Sequence, residues 1–83
     1  LESRSIRERI YAFIVEELND GLEFDGDADL IQQGWIDSIG VMKLLEFMEA
    51  SFGVEIDLEA IAAEDFQSLE SLEGFVERLQ GDA

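Results

Sequence analysis

Gly34-Trp35-Ile36-Asp37-Ser38-Ile39-Gly40-Val41-Met42-Lys43-Leu44-Leu45-Glu46-Phe47-Met48 takes the chain from an irregular acidic stretch into its most strongly patterned helix. The spacing predicts a helix from Asp37 or Ser38 to Ser51, ended by the Phe52-Gly53 step. At about 100° per residue, Val41, Leu44, Leu45, Met48 and Phe52 fall within one arc, which is the core face. Phe47 lies at its margin. Ile39 and Met42 fall well outside the arc, beside Glu46 and Glu49, with Lys43 nearby. Asp37 and Ser38 stand where helices take their caps, since Asp, Ser and Asn are preferred there. Capping alone leaves the outward pair Ile39 and Met42 unexplained, together with Gly34 and a slim first turn at Gly40.

Upstream, Ile6, Ile10, Phe13, Ile14 and Leu18 recur on one face of a first helix. Ser5 or Ser3 is placed to cap it, and Asn19-Asp20-Gly21 to stop it. Residues 19–36 hold no sustained period, yet Phe24, Leu30, Ile31, Trp35 and Ile36 are spread through them. Long irregular segments in compact domains are usually functional or disordered. The scattered apolar residues here predict an ordered loop folded back over the core. Downstream, Val54-Glu55-Ile56 reads as an extended connector burying alternate residues, and Leu58 to Ala63 as a short helix or turn. Ser68 then caps a last helix carrying Leu69, Leu72, Phe75, Val76 and Leu79, with Gly81 at its stop. The expected fold is all-α: a small four-helix bundle of three longer helices and one short one, with a long ordered loop between helices one and two.

Eighty-three residues make one domain, 1–83, near the lower limit for folding without staples. The chain has no cysteine, which excludes disulfides and thiolate-held metals. Apolar residues at 47% are enough for a core. There is neither an apolar run of membrane-span length nor an N-terminal signal pattern. A soluble, cytoplasmic, monomeric domain is expected. The net charge of −16 is uneven: residues 1–18 carry −1 and the remainder −15, relieved only by Lys43 and Arg78. Such a surface repels nucleic acid and anionic membrane, and attracts basic protein surfaces or cations.

Asp25-Gly26-Asp27-Ala28-Asp29 has the look of a cation loop. An EF-hand needs glycine at its sixth position and a bidentate Glu at its twelfth. Counted from Asp25, those positions hold Leu30 and Ile36, so no specific metal site is expected. A serine nucleophile needs a base such as His or Lys within hydrogen-bond reach. The chain has no His, and Lys43 lies five residues along from Ser38, well round the helix. Intrinsic catalysis is therefore not expected. An exposed Ser38 at a helix N-terminus better suits modification, because free N–H groups and the helix dipole favour a phosphate there.

Leu30-Ile31-Gln32-Gln33-Gly34-Trp35-Ile36-Asp37-Ser38-Ile39 resembles the attachment motif of acyl and peptidyl carrier proteins. The resemblance covers nearly the whole chain, including Phe52-Gly53-Val54-Glu55-Ile56 and Glu64-Asp65-Phe66-Gln67-Ser68-Leu69. It implies that Ser38 carries 4′-phosphopantetheine derived from coenzyme A. The terminal thiol of that arm would hold acyl or aminoacyl groups as thioesters. It also implies that Asp37 assists a phosphopantetheinyl transferase and that the acidic second helix meets basic partner surfaces. Ile39, Met42, Glu46 and Glu49 are the residues expected to form that face with Asp37.

Two positions depart from the common pattern. Ile39 replaces the usual leucine after the serine. Gly34-x-x-Asp37-Ser38 is one residue longer than the Gly-x-Asp-Ser of typical fatty-acid carriers and is similar to D-alanyl carrier proteins. That leans the cargo toward amino acids loaded by an adenylate-forming ligase and passed to downstream synthases or transferases. Polyketide, fatty-acid and nonribosomal-peptide roles stay open. The rival reading is an acidic helical adaptor or cation-responsive module with no prosthetic group.

Overall fold

The computed structural model describes residues 5–57 and 59–81, and among these the architecture is all-helical with no strand. Helix α1 spans Ile6–Phe13 and runs on into a wider π turn over Ile14–Leu18. Ser5 caps α1 with a reciprocal pair of bonds: its hydroxyl accepts from Glu8 N–H, and the Glu8 carboxylate accepts from Ser5 N–H, both at 3.1 Å. The alternative cap, Ser3, lies outside the described residues. Ile10 and Ile14 are fully buried, while Ile6, Phe13 and Leu18 pack half-buried around them, as the helical spacing predicts.

Helix α2 spans Ser38–Phe52, with Asp37 as its N-cap. Leu44, Leu45 and Met48 are buried, whereas Val41 and Phe52, the first and last members of the same arc along the helix, are only half-buried. Phe47 is half-buried and stacks on Phe13 with ring centroids 4.3 Å apart. Gly53 ends the helix in the left-handed conformation, φ 64°, with its N–H bonded to Glu49 C=O. Beyond it, Val54 and Ile56 turn half-inward and Glu55 outward.

The short helix sits later than expected. Leu58 lies outside the described residues, and residues 59–62 form a turn and extended chain rather than a helix. The Asp57 carboxylate takes Glu59 N–H at 2.9 Å, a side-chain turn that competes with helix initiation. A single 3₁₀ turn follows at Ala63–Phe66, closed by Asp65, whose carboxylate accepts Ala62 N–H at 3.1 Å. Helix α3 spans Leu69–Gly81. The Ser68 hydroxyl accepts Ser71 N–H at its start, and the helix extends through Gly81 rather than stopping before it.

The three helices and the 3₁₀ turn enclose one core, in which Ile10, Ile14, Leu30, Leu44, Met48, Leu72 and Val76 are fully buried. The segment between the π turn and α2 contributes Phe24, Ala28, Leu30 and Ile36 to that core, so it is an ordered loop laid over the bundle. Leu30 anchors its middle: the Leu30 N–H donates to Gln67 C=O at 2.6 Å, and the Leu30 carbonyl accepts from Trp35 and Ile36. Tyr11, Phe24 and Trp35 form a run of contacting rings, with centroids 4.8 and 5.0 Å apart, and the Tyr11 hydroxyl donates to Phe24 C=O. Among the described residues the buried Trp35 indole N–H has no hydrogen-bond partner, at a cost of about 1–3 kcal/mol.

Little of the surface charge is neutralised internally. Arg7–Glu73 at 2.9 Å and Arg78–Asp65 at 3.0 Å are the ion pairs among the described residues. Each is partly exposed and worth at most about 1 kcal/mol. A net charge of −16 on a chain with a 12.0 Å radius of gyration must therefore repel itself. Raising the salt from about 0.01 M to 0.5 M shortens the screening length several-fold. The expected gain is about 1 kcal/mol, or about 4–8 °C in Tm. Thermal melts by circular dichroism check this; a flat or falling Tm would contradict it.

Candidate functional site

The loop reaches α2 through Gly34, whose φ of 80° lies in the left-handed region that a side chain disfavours. Gly34 N–H bonds to Ile31 C=O, and the Asp29 carboxylate accepts Gln32 N–H, so the approach to the helix is built from turns. Asp37 then adopts an extended backbone, and its carboxylate accepts Gly40 N–H at 2.7 Å. Its carbonyl takes Val41 N–H. Ser38 is therefore the first helical residue, and it is exposed. In an α-helix, the first four amides have no intrahelical acceptor. Here the Asp37 carboxylate takes that of Gly40, those of Ser38 and Ile39 lie in the same first turn, and the hydroxyl stands at a positive helix end.

Among the other described serines, Ser5, Ser68 and Ser71 have hydrogen-bonded hydroxyls. Ser5 and Ser68 accept cap bonds, Ser71 pairs with Ser68, and Ser51 is half-buried near the far end of α2. Among the described residues no hydrogen bond engages the Ser38 hydroxyl.

Gly40 does something other than slim the outward face. It is buried, and a Cβ there would lie 3.2 Å from Asp37 Oδ1, 3.4 Å from Leu18 Cδ1 and 3.5 Å from Ile36 Cγ2. The missing side chain lets the end of the first helix dock directly under the first turn of α2. Beside that contact lies a cleft of about 180 Å³, lined by Glu17, Leu18, Asn19, Gly34, Trp35, Asp37, Ile39, Gly40 and Lys43. Sequence reading did not bring Glu17, Leu18 or Asn19 to this place. The Asn19-Asp20-Gly21 stop signal was the available pointer to the chain reversal, but not to its neighbour.

Ile39 and Met42 are 69% and 53% exposed, so the outward apolar pair is real, with Glu46 and Glu49 exposed on the same helix. Glu49 has an internal task as well: its carboxylate accepts Ile56 N–H at 3.0 Å and ties the connector to α2. Leu22 and Ile31, in the loop, are also exposed, at 62% and 41%. The Asp25 to Asp29 stretch turns its oxygens on its own backbone, Asp25 accepting Asp27 N–H and Asp29 accepting Gln32 N–H. Among the described residues no three or more acidic side chains converge as a metal site. No helix there is long and apolar enough to cross a membrane.

A family profile described as the phosphopantetheine attachment site matches residues 8–76, which includes α2 and its approach. The chain belongs to the phosphopantetheine-binding carrier family. This carrier protein is 32% identical over 79 residues to the acyl carrier protein of Solidesulfovibrio magneticus, a match spanning 94% of this chain and 99% of that relative. Its fold is similar to the solved structure of apo KstB-PCP, with a TM-score of 0.78 and 30% identity, covering 92% of this chain and 87% of the other. Members of the family are non-catalytic. The carrier bears a covalent 4′-phosphopantetheine group, which supplies the thiol that a cysteine-free chain lacks. It interacts with a phosphopantetheinyl transferase and with biosynthetic enzymes. The residues present fit such a group: an exposed, unengaged hydroxyl lies at a helix N-terminus, and the amides of that first turn favour a phosphodiester.

Proposed function

We propose that Ser38 is the attachment residue and that residues 1–83 act as one carrier domain presenting an acyl or aminoacyl thioester to successive enzymes. The observation that carries this is the Asp37–Ser38 turn. Asp37 is held by Gly40 N–H at 2.7 Å, which leaves Ser38 exposed at the first helical position. Asp37 keeps a carboxylate beside the hydroxyl for use by the transferase. Ile39, Met42, Glu46 and Glu49 form the partner face: two exposed apolar side chains give a small contact, and the acids steer basic surfaces to it. Binding through such a face is weak and falls with salt.

The longer Gly34-x-x-Asp37-Ser38 spacing supports an aminoacyl cargo loaded by an adenylate-forming ligase. The domain works as a monomer in the cytoplasm. The rival cation-responsive module gains no support from the Asp25 to Asp29 loop: Asp25 and Asp29 each accept a backbone N–H, and among the described residues no three acidic side chains converge there.

Incubation with coenzyme A and a broad-specificity transferase, followed by intact mass and peptide mapping, tests the assignment. Wild type should gain one phosphopantetheine on the peptide containing Ser38, and Ser38→Ala should gain none. No gain in wild type, or a gain that survives Ser38→Ala, would sink it.

A further inference from the structure

Asn19 lies in the turn after the first helix, sixteen residues from Trp35, yet its side chain joins the two. Its Nδ2 donates to Ile14 C=O at 3.1 Å and to Trp35 C=O at 3.0 Å. A carboxamide offers two N–H donors on one nitrogen, and two carbonyl partners can be met only by that nitrogen. Ile14 is fully buried, so its carbonyl is a fixed point of the core. Trp35 is the second residue before Asp37 in the chain, and the backbone between them runs straight into the cap of α2.

The π turn over Ile14–Leu18 ends the first helix with Leu18 beneath Gly40 and Asn19 beside Trp35. From the other side, the Trp35 and Ile36 amides are held by Leu30 C=O. The segment leading to Ser38 is thus fixed by its N–H groups through Leu30 and by a carbonyl through Asn19.

We propose that Asn19 is a positioning residue for modification of Ser38: it sets the height and direction of the Asp37–Ser38 turn against the core without touching the incoming group. This rests on the assignment of Ser38 as the attachment residue. The interaction is specific to two N–H donors. An aspartate of the same shape would place oxygen against two carbonyl oxygens, and a serine would keep at most one donor. Both variants leave the exposed partner face of α2 intact, so the transferase should still bind. Loss of positioning then acts on turnover rather than on binding.

The experiment compares full-length wild type, Asn19→Asp, Asn19→Ser and Val76→Ala in transferase assays with coenzyme A, at a temperature where circular dichroism shows each folded. Val76 is fully buried on α3 and serves as a destabilised control remote from the turn. Asn19→Asp should lower kcat about tenfold with KM within about twofold, Asn19→Ser should fall between it and wild type, and Val76→Ala should match wild type. Amide hydrogen exchange on the unmodified proteins provides a second readout: residues 35–40 should exchange faster in Asn19→Asp while α3 amides keep their wild-type protection. Wild-type turnover and exchange in Asn19→Asp would overturn the proposal, and so would an equal loss of kcat in Val76→Ala. Failure of wild type itself to be modified at Ser38 would instead overturn the attachment assignment, and the exchange measurement would still decide whether Asn19 fixes the turn.

Discussion

Leu72→Ala is expected to cost about 2–5 kcal/mol, the usual range for truncating a fully buried leucine. Leu72 lies on the inward face of α3 with no exposure at all, in one core with Ile10, Ile14, Leu44, Met48 and Val76. Part of the cost is the transfer of the lost methyl groups, and the rest is the cavity left between helices that cannot close fully around it. A single domain of this size is held by only about 4–12 kcal/mol. The substitution therefore removes a large share of the total, and Tm should drop by about 10 °C or more. Urea denaturation should show a lower midpoint with an unchanged slope, because the surface exposed on unfolding is nearly the same. Leu79→Ala, at a half-buried position of the same helix, should cost clearly less. A loss below about 1 kcal/mol at Leu72 would mean that α3 does not pack as described.

The helices that make this core were legible because burial imposes a period that the sequence must carry. Ile10 and Ile14, Leu44 and Met48, and Leu72 and Val76 are each spaced by four residues, and each pair is buried. The caps at Ser5, Asp37 and Ser68 were legible for a local reason: the side-chain acceptor and its N–H lie three residues apart in sequence. What could not be read was decided by choices between competing local bonds or by distant contacts.

The short helix moved because Asp57 and Asp65 each take a nearby amide, leaving residues 59–62 out of the helix and closing a 3₁₀ turn at Ala63–Phe66. The π turn at Ile14–Leu18 leaves almost no trace in five residues of pattern, since Ile14 and Leu18 satisfy a helical period either way. At the site, Asp37 and Ser38 were visible as a capped helix start next to outward Ile39 and Met42. The support beneath them was not. Asn19 reads as an ordinary helix stop, and its bonds to Ile14 and Trp35 exist only once the loop has folded back.

Gly40 shows the same limit most sharply and leads to the second large expected effect. In sequence, a glycine in the first turn of a helix reads as slimness toward a partner; in the fold it is an inward contact. Its backbone is not in the left-handed region, so the glycine is there for space rather than for conformational freedom. Alanine would relieve the helix of a glycine, worth up to about 1 kcal/mol, while pressing on Asp37 Oδ1 at 3.2 Å and Leu18 Cδ1 at 3.4 Å. The Asp37 carboxylate, the nearer neighbour, must give by a few tenths of an ångström, which weakens its cap bond and offsets the helix gain, so Gly40→Ala should be close to neutral in stability.

Gly40→Leu has no such outlet. Its side chain must enter the space filled by Leu18 and Ile36, and overpacking of that kind costs about 1–3 kcal/mol. Relief comes only by lifting α2 away from the end of the first helix or by pushing Asp37 out of its cap, which adds about 0.5–2 kcal/mol. Either movement shifts the first turn of α2, and Ser38 with it, relative to the end of the first helix. Gly40→Leu is therefore expected to lose about 2–4 kcal/mol in urea denaturation and more than about tenfold in the rate of arm uptake, while Gly40→Ala stays within about threefold of wild type. If Gly40→Leu kept both wild-type stability and wild-type uptake, the direct docking of the first helix against Gly40 would be wrong.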